Sequence, residues 1–129
     1  DRAGMPWMSG GGCLIPRDFL RMGLLFSRKG LGVSGRSIGS ANFIDETLKF
    51  MGPKYMTLTN NSSVYYANQT MKSKDWIGHS GYGGQFLMIN LKTKIAAGFF
   101  SVIETASATD EKYKIDMIQM LENIVSGNY

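Results

Sequence analysis

Apolar residues in the second half of the chain come in short runs, each broken by a turn. Trp76 to Tyr82 carries the small-residue triplet His79-Ser80-Gly81 on a strand pattern, and Gly83-Gly84 follows it. Gln85 to Asn90 is the next, and Leu91-Lys92-Thr93-Lys94 leads from it into the apolar run Ile95 to Ile103. Runs of this length, bounded by glycine and charge, read as strands. The links between them are far shorter than the dozen or more residues a parallel crossover needs, so the three strands are antiparallel neighbours. A further strand begins at Val64-Tyr65-Tyr66, and Met71 to Asp75 reads as a hairpin turn region. Residues 54 to 63 are polar and read as a connection.

The flanks carry helical spacing instead. Phe19, Met22 and Phe26 recur every three or four residues beside Leu20, Leu24 and Leu25, with Arg17, Asp18, Arg21 and Arg28 mostly on the other side. This predicts a helix over 16–29, with Pro16 at its first position, where no N–H is needed, and Gly30 as its stop. Ser40 suits the cap of a short helix with the apolar face Phe43, Ile44, Thr47, Leu48 and Met51, ended by Gly52-Pro53. Thr109 suits the cap of the last helix, with Asp110 and Glu111 in the first turn, where acids complement the helix dipole. Its stripe is Tyr113, Met117, Leu121 and Ile124, widened by Ile118 and Val125, and Gly127 ends it. The fold class that follows is α+β: an antiparallel sheet with flanking helices, in one segment spanning residues 1–129.

Composition narrows the chemistry. A chain of 129 residues allows one domain with a real core. Fourteen basic residues against ten acidic give a net charge of +4, without a run of five or six like charges, so no nucleic-acid partner is implied. Cys13 and His79 each stand alone, which removes an intrachain disulfide, a cysteine metal site and a multi-histidine site, and no cofactor is implied. No apolar stretch reaches the ~18 residues of a membrane span, and no signal peptide is read. Asp1 reads as a processed or truncated start, in keeping with a missing N-terminal region. Gly30-Leu31-Gly32-Val33-Ser34-Gly35 matches the dinucleotide-binding pattern, but follows a helix rather than a strand and reads as a turn-rich loop. Most of the nine methionines fall at core positions, where packing accounts for them. The sequons at Asn60, Asn61 and Asn68 are short patterns in a Ser/Asn-rich stretch and carry little weight.

Two stretches carry a resemblance. Ser9-Gly10-Gly11-Gly12 followed by Arg17-Asp18-Phe19-Leu20-Arg21-Met22-Gly23 resembles the "S-G-G … D-L-A-R-F-G" stretch of class C β-lactamase-like hydrolases. Gly78-His79-Ser80-Gly81-Tyr82-Gly83-Gly84-Gln85 resembles the "G-H-T-G … G-G-Q" stretch of the same group, which includes esterases and 6-aminohexanoate-dimer hydrolases. The chain is thus similar to the C-terminal portion of the serine β-lactamase and penicillin-binding-protein superfamily, with its β-lactamase/transpeptidase-like fold. The resemblance implies acyl-enzyme chemistry on an amide, ester or β-lactam, a small-molecule or peptide substrate, and a periplasmic or secreted parent. It implies that His79 supplies a positive or hydrogen-bonding group, that Ser80 offers a hydroxyl, and that Gly81 leaves room for substrate along the strand edge. It also implies that the Tyr82 backbone N–H forms half of an oxyanion hole. Imidazole titrates near 6.5 and lysine near 10.4, so His79 in the place of lysine leaves its charge open.

The nucleophile is missing from this pattern. No serine has lysine three residues on, so Ser-x-x-Lys is absent. Tyr-x-Asn occurs as Tyr66-Ala67-Asn68, but the family's motif precedes the "S-G-G" stretch and this one follows it, so Tyr66 reads as a strand residue. The chain is therefore expected to be inactive alone, and to self-associate or pair with a missing N-terminal portion. A non-catalytic binding or interaction domain built on the same sheet is the alternative.

Overall fold

The structure, a computed structural model, describes residues 14–104 and 110–128. The loop expected over residues 1 to 12, the glycine stretch Ser9 to Gly12, Cys13 and the Thr109 cap lie outside those residues. Three helices and six strands follow in the order α1 (Pro16–Ser27), α2 (Ala41–Lys49), β1 (Lys54–Thr57), β2 (Ser63–Ala67), β3 (Thr70–Lys72), β4 (Trp76–Ser80), β5 (Phe86–Asn90), β6 (Ala96–Phe99) and α3 (Glu111–Ser126). The strands form one antiparallel sheet in strict chain order, β1 to β6, so the expected α+β class holds.

Period-two alternation assigns the two faces of the sheet. On β5 all five residues are buried. Phe86 and Met88 join Val64, Met71 and Trp76 in a cluster with Met117, Ile118, Leu121 and Val125 of α3. Leu87 and Ile89 face the other way and join Ile77 in a cluster with Phe19, Leu20 and Phe26 of α1 and Leu48 of α2. The sheet is thus a middle layer covered on both faces, which is why β5 reads as continuous apolar sequence. Gly23 lets α1 lie close: a Cβ there would meet Leu87 Cδ1 and Ile89 Cγ1 at 3.0 Å.

Helix ends follow their caps. Pro16 occupies the first turn of α1, and Ser40 Oγ accepts from Phe43 N at 3.3 Å to start α2. Asp110, rather than Thr109, caps α3: its Oδ1 accepts from Tyr113 N at 2.8 Å. Gly127 closes α3 in the left-handed region, at φ 82°. α2 stops at Lys49, and of its expected apolar face Ile44 and Thr47 are buried whereas Phe43 is exposed; Met51, beyond the helix end, is exposed too.

Three readings need correction in the sheet. Residues 54 to 63 are not all connection, because Lys54–Thr57 pairs with β2 as an edge strand. Only Met56 of its four residues is buried, which leaves too little alternation to see. Met71 to Asp75 is not a turn throughout, since Thr70–Lys72 forms β3. The turn within that stretch is Ser73-Lys74-Asp75, which joins β3 to β4 and is closed by Ser73 N donating to Trp76 O at 3.0 Å. A separate turn joins β2 to β3, where Asn68 (φ 49°) and Gln69 (φ 60°) both take the positive φ that a tight hairpin needs. The last strand ends at Phe99 rather than Ile103.

Candidate functional site

β4 carries the His-Ser-Gly triplet to its end. Ser80 is its last residue, and Gly81 opens a turn closed by Gly81 N donating to Gln85 O at 2.8 Å. Gln85 braces this turn from inside. Its Oε1 accepts from Gly83 N at 3.1 Å, and its Nε2 donates to Ser101 O at 3.0 Å. Ser101 and Tyr113 brace it from outside. Ser101 Oγ lies 3.2 Å from Gly83 O and 2.7 Å from Tyr113 Oη, and Tyr113 Oη lies 3.3 Å from Gly84 O. Two hydroxyl protons serve these three contacts. Either Tyr113 donates to Ser101 and Ser101 to Gly83 O, or Ser101 donates to Tyr113 and Tyr113 to Gly84 O. Ile103 N adds a bond to Gly83 O at 3.3 Å.

Tyr82 sits at the crest of this braced turn, 78 % exposed. Among the described residues nothing accepts its backbone N–H. An exposed N–H with no acceptor among the described residues can donate to water or to a ligand.

His79 is exposed, and its Nδ1 lies 2.8 Å from Gln69 O. A carbonyl oxygen only accepts, so Nδ1 carries the proton and Nε2 is left as the acceptor when the ring is neutral. The ring shares a face with Ile77 and sits at the rim of a groove of about 270 Å³ beside α1, lined by Met22, Phe26, Ile77, Leu87 and Ile89. Ser80 shares the opposite face with Trp76 and Gly78, and its Oγ has no hydrogen-bond partner among the described residues. The alternation of the strand therefore separates His79 from Ser80 by face, and only a ligand lying along the strand could touch both.

Two expectations about the triplet change. β4 is not an open edge: it pairs with β3 on one side and β5 on the other, and the Asn68-Gln69 turn lies against His79. Its ladder with β3 spans Ile77 and Gly78 only, so any accessible edge begins at Ser80. Gly81 has a local reason to lack a side chain, because a Cβ there would lie 2.5 Å from Gln85 Oε1. The glycine makes room for the brace, whatever it also offers a substrate.

Gln85, Ser101 and Tyr113 were not singled out from the sequence. Tyr113 carried the one available signal, a hydroxyl on the inner stripe of a helix, which needs a partner once half-buried. Among the described residues no group of three or more His, Cys, Asp or Glu is placed to hold a metal ion, and no helix is long and apolar enough to cross a membrane. Comparison with family profiles, with curated proteins and with solved structures finds no match.

Proposed function

We propose that this chain is the C-terminal portion of a β-lactamase-like serine hydrolase that acts by acyl-enzyme chemistry on an amide, an ester or a β-lactam. The observation that carries this reading is the Tyr82 N–H, for which no acceptor exists among the described residues, directly after the His79-Ser80-Gly81 strand and on a turn fixed by Gln85, Ser101 and Tyr113. A serine supplied by an N-terminal portion attacks the carbonyl carbon. The carbonyl oxygen gains negative charge, and the Tyr82 N–H stabilises it without reorganising. Ser80 Oγ and His79 Nε2 contact the substrate on either side of the strand. The apolar groove beside α1 and the outer edge of β6, which pairs with no further strand among the described residues, are surfaces for the N-terminal portion.

Acylation by probes of known chemistry tests the reading. The 129-residue chain and a longer chain from the same gene, extended upstream, are each incubated with a fluorescent penicillin and an activated ester, then weighed intact. The longer chain should gain one acyl group on a serine followed by x-x-Lys, and the short chain none. A stoichiometric adduct on the short chain, or an upstream sequence without Ser-x-x-Lys, would overturn it.

A further inference from the structure

Three elements end together at the far end of β4 from the triplet. Ser73, Lys74 and Asp75 turn the chain from β3 into β4, Asn90 closes β5, and Ser126 closes α3. Cross-bonds tie these ends: Leu91 N donates to Asp75 O at 3.1 Å, and Thr93 Oγ1 to Val125 O at 2.6 Å. Between them lies a pocket of about 240 Å³. Pockets for drug-sized ligands begin at ~300 Å³, so this one suits a single small ring.

The polar lining of the pocket is held in place before any ligand arrives. Glu122 Oε1 accepts from Trp76 Nε1 at 2.6 Å, and Glu122 Oε2 has no donor among the described residues. Ser73, Ser62 and Ser126 have each given their hydroxyl proton away, to Ser63 O at 3.2 Å, Asn60 Oδ1 at 2.6 Å and Asn123 O at 2.8 Å. Their oxygens therefore remain as acceptors. Asn90 supplies the opposite polarity. It is 6 % exposed, and its Oδ1 accepts from Lys92 N at 2.9 Å and Thr93 N at 3.1 Å. Those two bonds fix which way the amide points, and Nδ2 is left as a donor with no acceptor among the described residues. The charges balance: Glu122 and Asp75 stand against Lys74 and Lys92, whose Nζ lies 2.6 Å from Asp75 Oδ1.

We infer that this pocket binds one neutral hexose unit. Its lining asks a ligand for several donors, at least one acceptor and no net charge. Every sugar hydroxyl both donates and accepts, so ring hydroxyls donate to Glu122 and the serine oxygens while one accepts from Asn90 Nδ2. The C–H groups of the ring lie against Val125 and the Trp76 indole, the apolar part of the wall. An ammonium ligand would meet Lys74, and a carboxylate ligand would meet Glu122 and Asp75. The groups that would hold the sugar are already fixed by bonds within the protein, so binding costs little ordering on its side. The inference does not depend on the hydrolase reading, since it uses neither the triplet nor the turn after it.

Proton–nitrogen NMR of the whole chain tests it. The reporter is the Trp76 Nε1–H, which is bonded to Glu122 in the wall; the chain has one other tryptophan, Trp7, and the indole signal that survives Trp7→Phe is that of Trp76. The probes are glucose, galactose and mannose, with glucosamine and glucuronate as cationic and anionic counterparts, each titrated through the millimolar range. At least one neutral hexose should shift the Trp76 signal saturably, and more tightly than either charged sugar. Asn90→Asp keeps the oxygen that Lys92 N and Thr93 N need and removes the Nδ2 donor, so it should weaken binding about tenfold, the loss of one hydrogen bond. Ser126→Phe, at an exposed position on the pocket wall, should abolish binding by filling the space, and it keeps the test open if Asn90→Asp does not fold. No saturable shift with any of the three hexoses, or unchanged binding in Ser126→Phe, would overturn the site. Tighter binding of glucosamine or glucuronate than of the neutral sugars would overturn the ligand class.

Discussion

Gly84→Ala is the sharpest perturbation of the braced turn. Gly84 sits at φ +88°, and a Cβ there would lie 2.4 Å from Ser101 Oγ and 2.8 Å from Tyr113 Oη. A non-glycine residue with this φ costs about 1–2 kcal/mol. The methyl group must also displace the Ser101 hydroxyl, which breaks its contacts with Gly83 O and Tyr113 Oη. Each lost hydrogen bond costs about 0.5–1.5 kcal/mol. With one or two such bonds lost, according to which way the hydroxyl protons point, the sum is about 1.5–5 kcal/mol, a large share of the ~5–15 kcal/mol that holds a typical domain folded. Urea unfolding followed by Trp76 fluorescence measures it, and the midpoint should fall with little change in slope. Ser101→Ala separates the two causes. If the methyl collides with Oγ, the double variant should be less destabilised than the sum of the single variants by about 1 kcal/mol. A loss below about 0.5 kcal/mol for Gly84→Ala, or strict additivity in the double variant, would refute the reasoning.

Three further outcomes follow from the same structure. In an upstream-extended chain that acylates, His79→Ala and Ser80→Ala should each slow acylation about ten- to a hundredfold, the range for losing one charge-assisted contact, while Tyr82→Phe should be nearly silent because a backbone N–H is the donor; unchanged kcat/KM in the two alanine variants would make the triplet structural. Trp76 is 3 % exposed and its Nε1 donates to Glu122 Oε1 at 2.6 Å, so Glu122→Ala should cost about 1–3 kcal/mol in urea unfolding by orphaning a buried N–H, and Glu122→Gln much less. Light scattering at roughly tens of micromolar should show a dimer or larger species, since Phe43, Phe50 and Met51 are exposed and β6 offers an edge; a clean monomer would mark a self-sufficient domain.

The sequence revealed this protein unevenly, for physical reasons. β5 was legible because both faces of the strand are covered, so burial wrote an unbroken apolar run after the Gly83-Gly84 turn, and β4 because Trp76 and Ile77 bury on opposite faces ahead of that turn. β1 and β3 were not: each buries a single methionine, Met56 or Met71, and the turn joining β2 to β3 uses Asn68-Gln69 where glycine would have flagged it. α3 was legible as a stripe, yet Lys114 is 4 % exposed on it. Its ammonium is covered by Tyr55, whose hydroxyl accepts from it and whose ring centroid lies 4.7 Å away. Nothing in the helical period announces such a partner 59 residues away. The candidate site divides the same way. The triplet and its turn stood out as local sequence, whereas the brace joins Gln85 to Ser101 and Tyr113 across 16 and more residues and needed the fold to become visible.

The strand order β1 to β6 has a kinetic consequence. Each strand pairs with its immediate neighbours in the chain, so every ladder can close through a short loop. Sequence-local contacts lower relative contact order, and low contact order speeds folding. The sheet can grow hairpin by hairpin, beginning with β4 and β5, whose register runs over five residue pairs from Trp76↔Asn90 to Ser80↔Phe86. α1 then arrives as the late, long-range event, because Gly23 must find Leu87 and Ile89 more than sixty residues further on. In a stopped-flow experiment, substitutions in β4 and β5 should slow refolding, and those along the contact of α1 with the sheet should mainly speed unfolding.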